Sequence, residues 1–118
     1  MSEQLKNRTK AYTVSILRWC EGLPPGPRTW VIGKQLIRSA SSIGANYRAS
    51  TRSRSTAEFI AKLGIAIEEA DETLYWLEVL KELDGTDPHR EQLHSEGEEI
   101  LRILVSSRNK SRSRLDQR

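Results

Sequence analysis

The clearest helical pattern in the chain is STAEFIAKLGIAIEEADETLYWLEVLKEL, residues 55–83. Ser55 and Glu58 have the spacing of a capping box, in which two side chains satisfy free backbone amides at a helix start. Apolar side chains then recur three and four residues apart on one side: Phe59, Leu63, Ala66, Ala70, Leu74, Leu77 and Leu80. This period predicts a long amphipathic helix that begins near Ser55.

Further apolar side chains widen the face of this helix beyond the roughly 100° stripe of an ordinary surface helix. They are Ile60, Ile67, Trp76, Val79 and Leu83. We therefore expect part of this surface to face a second subunit.

Two helices are predicted upstream, separated by the proline-rich segment from Gly22 to Pro27, because proline cannot donate a hydrogen bond inside a helix. The first, from about Gln4 to Glu21, has its apolar side chains on one face: Leu5, Tyr12, Ile16, Trp19 and Leu23. The second, from about Arg28 to Ala49, places on one stripe Val31 or Ile32, Leu36, Ala40, Ile43 and Tyr47. Small residues between Ser39 and Ala45 should let another helix approach this one closely.

A fourth helix is predicted after Asp84, where Gly85 suits a helix end and Asp87-Pro88 suits the next helix start. Its apolar positions are Leu93, Gly97, Ile100, Leu101, Leu104 and Val105. No segment requires a strand, and the connections are short. The sequence therefore predicts an all-α, up-down-up-down four-helix bundle over residues 1–107.

Charge is unevenly distributed along the 118 residues, although the net charge is only +3. Residues 1–57 carry ten Lys or Arg against two Glu, residues 58–107 carry four against thirteen acids, and residues 108–118 carry five against Asp116. The asymmetry favours a polyanion-binding face, or else mutual neutralisation between segments of the folded bundle. The last segment has almost nothing apolar to bury, so we expect a disordered basic tail.

The sequence offers no catalytic constellation. His89 and His94 are five residues apart, which puts them on different sides of a helix, and Cys20 is the only cysteine. The acids Glu68 to Glu72 lack the Glu-x-x-His pattern of di-iron bundles, and no phosphate-binding glycine loop is present. We expect no enzyme activity, no metal and no cofactor.

The cellular compartment is also constrained by the sequence. One cysteine cannot form an internal disulfide, and charged residues interrupt the N-terminal segment where a signal peptide would need an apolar run. No stretch approaches the roughly 18 apolar residues that span a bilayer. We expect a cytoplasmic protein without membrane contact.

Asn46 is the polar residue that stands out within the second helix. It follows Ile43 by three positions, and its amide could bond a backbone carbonyl of a neighbouring helix and fix the register. The alternative is that Asn46 contacts a ligand directly.

Two stretches resemble a known family. QLIRSASSIGANYRA at residues 35–49, and the segment from Ala57 to Ala66 with its continuation to Leu77, are similar to the second and third helices of the bacterial 23S rRNA intervening-sequence proteins. The resemblance implies a left-handed four-helix bundle that assembles as a ring-like homopentamer. Many members end the first motif with Asn-Ile-Ala-Glu-Gly, whereas this chain has Asn46 followed by Tyr-Arg-Ala-Ser.

The same resemblance extends to the accessory variability proteins of diversity-generating retroelements, which bind nucleic acid and a reverse transcriptase through a basic surface. Together with the charge pattern, it leads us to expect an oligomeric adaptor that contacts RNA or DNA phosphates. The candidate residues are Lys34, Arg38, Arg48, Arg52, Arg54, Arg108, Lys110, Arg112 and Arg114. The rival hypothesis is a protein-interaction module that docks a partner such as a reverse transcriptase.

Overall fold

The computed structural model describes residues 2–117, which form four helices. Helix α1 spans Ser2–Glu21, α2 spans Lys34–Ser50, α3 spans Thr56–Asp84 and α4 spans Pro88–Asp116, and a π-helical turn over Thr29–Gly33 leads into α2. No strand occurs among these residues. The predicted all-α class and its four helices are confirmed.

Short connections reverse the chain direction after α1, α2 and α3. Helices α1 and α3 each pack against both α2 and α4, which gives a four-cornered bundle. The molecule measures 52 × 22 × 21 Å, so its long axis follows the helices. Each end of the bundle therefore collects termini from all four helices.

The core is formed by one face of each helix, as the periodicity predicts. Its largest fully buried apolar side chains are Ile16, Leu36, Ile43, Leu63, Leu77, Ile100 and Leu104. The sequence left open whether Val31 or Ile32 lies on the buried stripe. Ile32 is 8% exposed and Val31 is 60% exposed. Ile32 therefore belongs to the core.

Small residues allow close helix contacts at two places. Thr9 of α1 lies against Gly44 of α2, where an added Cβ would be 3.4 Å from the Thr9 hydroxyl oxygen. At Gly97 of α4 an added Cβ would come within 2.6 Å of the Tyr12 hydroxyl oxygen. The small stripe of α2 thus does admit a neighbouring helix, and α4 has a tighter contact of the same kind.

The predicted helix starts are also observed. The Ser55 side chain accepts a hydrogen bond from the Glu58 amide, and the Asp87 side chain accepts from the amides of His89 and Arg90. At the end of α3, Gly85 adopts a φ of +79°, a conformation that glycine tolerates best.

Helix α4 differs from the expected boundary at residue 107. It continues through the basic segment to Asp116, so residues 108–116 are helical and do not form a disordered tail. Residues 98–116 contain no glycine or proline, and Arg, Lys and Leu favour helix. Arg108 and Ser111 are also partly buried, which shows that this extension packs against the bundle.

None of the helices in residues 2–117 is long and apolar enough to cross a membrane.

Candidate nucleic-acid interface

The antiparallel arrangement gathers three separate basic segments at one end of the bundle. We define this basic end as residues 3–10, 48–62 and 104–117, where α1 and α3 begin and α2 and α4 end. It carries eleven Lys or Arg against three acids, a net charge of +8. The other described residues carry seven Lys or Arg against thirteen acids, a net charge of −6. Charge is therefore separated along the 52 Å axis.

Seven of the nine predicted contact residues lie at the basic end. They are Arg48, Arg52, Arg54, Arg108, Lys110, Arg112 and Arg114. Among residues 3–117, none of the seven forms an ion pair. All but the half-buried Arg108 are exposed. The fold thus brings together cations that are up to 66 positions apart in the chain.

The other two predicted residues lie elsewhere. Lys34 begins α2 at the opposite end of the bundle. The Arg38 guanidinium binds two carboxylates of α3, donating to Glu69 at 2.8 Å and also to Glu72. Arg38 is therefore paired with carboxylates within the bundle and lies apart from the seven cations of the basic end.

The Arg38 contact also affects the acid beside it. The hydrogen bond from Arg38 holds the pKa of Glu72 below its usual value, and the Trp76 indole N–H adds a second hydrogen bond of 3.2 Å. This cluster joins the basic α2 to the acidic α3. Neutralisation, one of the two alternatives from the sequence, thus operates here.

Two further ion pairs between distant segments could not be predicted from the sequence. Arg8 donates to both oxygens of Glu96, at 2.7 and 2.8 Å, and Arg28 pairs with Asp84. The partners are 88 and 56 positions apart, and no local spacing signals them. Both pairs leave the seven cations of the basic end untouched.

Asn46 does not bridge two helices. Its Nδ2 donates to the carbonyl oxygen of Ser42 in the same helix, at 2.8 Å, and the residue is only partly buried. The Ser42 carbonyl lies one helical turn before Asn46, so the side-chain amide of Asn46 has a hydrogen-bond partner within its own helix. Besides the Arg38 cluster, hydroxyl groups join α2 to its neighbours: Thr13 donates to the Ala40 carbonyl at 3.1 Å, and the Thr73 and Ser39 hydroxyl oxygens lie 2.8 Å apart.

A cavity of about 790 Å³ opens at the basic end. Arg54 and Arg114, predicted separately from the connection and the tail, both line it, and Arg8 joins them from α1. Two polar atoms in this region are buried without a hydrogen-bond partner among the described residues, the Ser53 hydroxyl oxygen and Arg108 Nε. No sequence pattern predicts this cavity, because its walls come from all four helices.

Nothing positive in the described residues indicates catalysis. Residues 2–117 contain no group of three or more His, Cys, Asp or Glu side chains placed to hold a metal ion. Burial raises the pKa of the Cys20 thiol to about 11, so the thiol stays protonated at neutral pH. His94 contacts Glu78 at 2.8 Å and Glu98 at 3.5 Å.

Sequence and fold are both similar to known proteins. Residues 3–106 match the family described as 23S rRNA-intervening sequence protein. A crystal structure at 1.70 Å resolution, of a protein with unknown function from the S23 ribosomal protein family of Bacteroides thetaiotaomicron, is similar to this chain at 36% identity with a TM-score of 0.79. That match covers 86% of this chain and 95% of the other. No curated protein matches the chain.

Proposed function

The chain belongs to the family of 23S rRNA-intervening sequence proteins, and we propose that it is a non-catalytic, homo-oligomeric adaptor that binds RNA or DNA phosphates through its basic end. We place this activity in the cytoplasm, where a lone buried cysteine such as Cys20 stays reduced.

The separation of charge carries this proposal. Seven cations without ion-pair partners in residues 3–117 share one end of the bundle, whereas Arg38 and Arg28, farther along the axis, are paired. An uncompensated basic surface releases counterions from a polyanion and so gains free energy on binding phosphates. The acidic remainder of the molecule would repel the same polyanion, so binding should be restricted to one end.

The basic end is better suited to phosphates than to bases. Its aromatic side chain is the half-buried Phe59, and Tyr47, which precedes Arg48 just outside it, is 4% exposed. Stacking on nucleic-acid bases requires exposed rings. Recognition by shape and charge, with little sequence preference, follows from this arrangement.

Homo-oligomer formation is supported by apolar side chains on the surface of α3. Ile65 is 46% exposed and Tyr75 is 56% exposed. We propose a homopentamer, the assembly implied by the family resemblance. Five copies would multiply the charge of each basic end and strengthen a modest field.

Fluorescence anisotropy on structured RNA and duplex DNA, over a series of salt concentrations, tests the proposal. We expect binding at low salt, with a log-log slope of about −0.9 per phosphate contacted. The combined variant Arg48→Glu, Arg52→Glu and Arg112→Glu should weaken binding and flatten the slope by about one unit for each phosphate that is no longer neutralised. Its fold should persist because all three side chains are exposed.

The matched control is the combined variant Arg18→Glu, Lys34→Glu and Lys81→Glu, which changes the net charge equally at exposed positions outside the basic end. It should retain the salt slope of the unmodified protein. Equal weakening by the two triple variants would reduce the effect to net charge and contradict a localised site. Absence of binding at low salt would contradict nucleic-acid binding altogether.

A protein-interaction module is the rival function, and one observation favours it. Trp30, Val31 and Leu83 are 67%, 60% and 56% exposed at the end opposite the basic end. Exposed aromatic and aliphatic side chains are the usual anchors of protein interfaces. A partner such as a reverse transcriptase could dock there. Its co-purification with the unmodified protein, but not with Trp30→Ser, would support this rival.

A further inference from the structure

The cavity at the basic end has a composition unlike the rest of the molecule's surface. Its lining contains three guanidinium groups, seven Ser or Thr hydroxyl groups and no carboxylate, although the chain as a whole has 16 acids. Guanidinium and hydroxyl groups are hydrogen-bond donors, and of the seven hydroxyls those of Ser50 and Thr51 already donate to the Tyr47 and Arg48 carbonyls. A cavity that offers donors and positive charge without negative charge is complementary to an anion.

The cavity exists because the two hairpins of the bundle differ in length. Helices α3 and α4 each have 29 residues, about 44 Å, whereas α1 has 20 residues, about 30 Å. The ends of the long helices therefore project past the start of α1 and the end of α2. The shorter hairpin supplies a floor with Leu5 and Tyr47, and α4 supplies a wall with Ser107 and Ser111.

Two of the three arginines are electrostatically uncompensated. The Arg8 guanidinium is held by Glu96, which does not line the cavity. Arg54 and Arg114 form no ion pair with any residue between 3 and 117. Arginine binds phosphate through two parallel hydrogen bonds, and this pair would provide both charge and geometry.

The cavity also has an apolar side, so its ligand is more than a bare anion. Phe59 and Ile103 line it together with Leu5 and Tyr47. Its volume of about 790 Å³ lies in the range of small-molecule sites and is too small for a duplex. We propose that this cavity binds a phosphate ester, with Arg54 and Arg114 on the phosphate and the apolar side against its organic group.

The phosphate ester could be a free mononucleotide or the terminal phosphate of an RNA strand. The proposal goes beyond the binding of nucleic acid to the exposed basic surface, because a mononucleotide could fill the cavity even if no RNA bound that surface. Failure of duplex binding and failure of mononucleotide binding are separate results.

Isothermal titration calorimetry of the full chain with 5′-AMP and with adenosine tests the proposal. We expect 5′-AMP to bind. Adenosine should bind at least about tenfold more weakly, because it lacks the charged phosphate that accepts the arginine hydrogen bonds. The double variant Arg54→Gln with Arg114→Gln should weaken 5′-AMP binding by about tenfold or more.

The matched control is Lys10→Gln with Arg18→Gln, which removes the same charge from exposed residues of α1 that do not line the cavity. It should change 5′-AMP affinity by less than about twofold under salt screening. Circular dichroism melts establish that both double variants are folded. Equal affinity for adenosine and 5′-AMP, equal weakening by the two double variants, or no 5′-AMP binding at millimolar concentration would overturn the proposal.

Short single-stranded RNA with a 5′-phosphate or a 5′-hydroxyl distinguishes the two sources. Displacement of 5′-AMP by the phosphorylated strand alone identifies the end of a nucleic acid as the ligand. If neither strand displaces 5′-AMP, the ligand is a free nucleotide. Both results uphold the phosphate-ester site.

Discussion

Gly97 is the glycine of this bundle at which an added Cβ would meet the nearest neighbouring atoms. It is buried in α4 beneath Tyr12 of α1 and Leu74 of α3. The Tyr12 hydroxyl passes beside it to donate a hydrogen bond of 2.8 Å to the Leu93 carbonyl. Three helices therefore meet at a position where a glycine makes room for the tyrosine ring.

Gly97→Ala should destabilise the protein by about 1–3 kcal/mol, because the added methyl group would lie 2.6 Å from the Tyr12 hydroxyl oxygen and 2.9 Å from Leu74. Urea unfolding followed by circular dichroism measures this change. The matched substitution Gly64→Ala has no atom within 4 Å and should gain up to about 1 kcal/mol from helix propensity. Equal effects at the two glycines would contradict the packing explanation.

Helices α2 and α3 are joined by polar contacts as well as by apolar side chains of the core. Arg38 of α2 reaches Glu69 and Glu72 of α3, while the Ser39 and Thr73 hydroxyl groups of the same two helices meet in the buried layer beneath. The contact between these helices is the most extensive in the bundle. Charge neutralisation and buried hydrogen bonding thus act on one pair of helices.

The Arg38 cluster should make stability depend on pH in the acid range. The pKa of Glu72 is lower in the folded protein than its ordinary value of 4.5, so the contact stabilises the fold above that pH. The stabilisation disappears as the pH falls through the lowered pKa. Arg38→Gln should therefore reduce Tm near pH 7, and the difference from the unmodified protein should shrink below about pH 4.5.

Thermal melts between about pH 3 and pH 7 check this expectation. Arg18→Gln provides the control, because Arg18 is exposed and has no ion pair among residues 3–117. Its effect on Tm should be small at every pH. A Tm difference for Arg38→Gln that stayed constant across the range would show that Glu72 is not its energetic partner.

For the molecule as a whole, the main feature is the separation of a basic end from an acidic remainder, net +8 against −6. Apolar side chains also remain on the surface, chiefly Ile65 and Tyr75 on α3 and Trp30 and Val31 before α2. Large exposed apolar groups commonly mark interaction surfaces. Both features bear on which molecules the protein binds.

Light scattering after gel filtration should give about five times the chain mass of 13.5 kDa if the proposed pentamer forms. Ile65→Lys with Tyr75→Lys should lower the mass toward that of one chain, because desolvating two ammonium groups in an interface is costly. Val14→Lys with Leu115→Lys adds the same charge at exposed apolar positions of other helices and should leave the mass unchanged. A monomer at micromolar concentration would rule out the assembly.

Most of the fold could be predicted from the sequence because its signals are local. The period of apolar residues located all four helices, and the Ser55 and Asp87 caps located two helix starts. The end of α4 could not be found this way, since the polar residues 108–116 lack an apolar period. The hydrogen-bond partner of Asn46 could not be predicted either. Its amide donates to the Ser42 carbonyl of its own helix, and the choice between that carbonyl and one of a neighbouring helix depends on how the helices pack.

Local patterns in the sequence are enough to establish the number of helices, their buried faces and the asymmetry of charge along the chain. Which of those charges lie together depends on tertiary structure. The fold pairs Arg38 with α3 and leaves Arg54 and Arg114, 60 positions apart, on one cavity. Periodicity depends on neighbours within one helix, whereas charge pairing and cavities depend on the lengths and relative positions of helices that are distant in the chain.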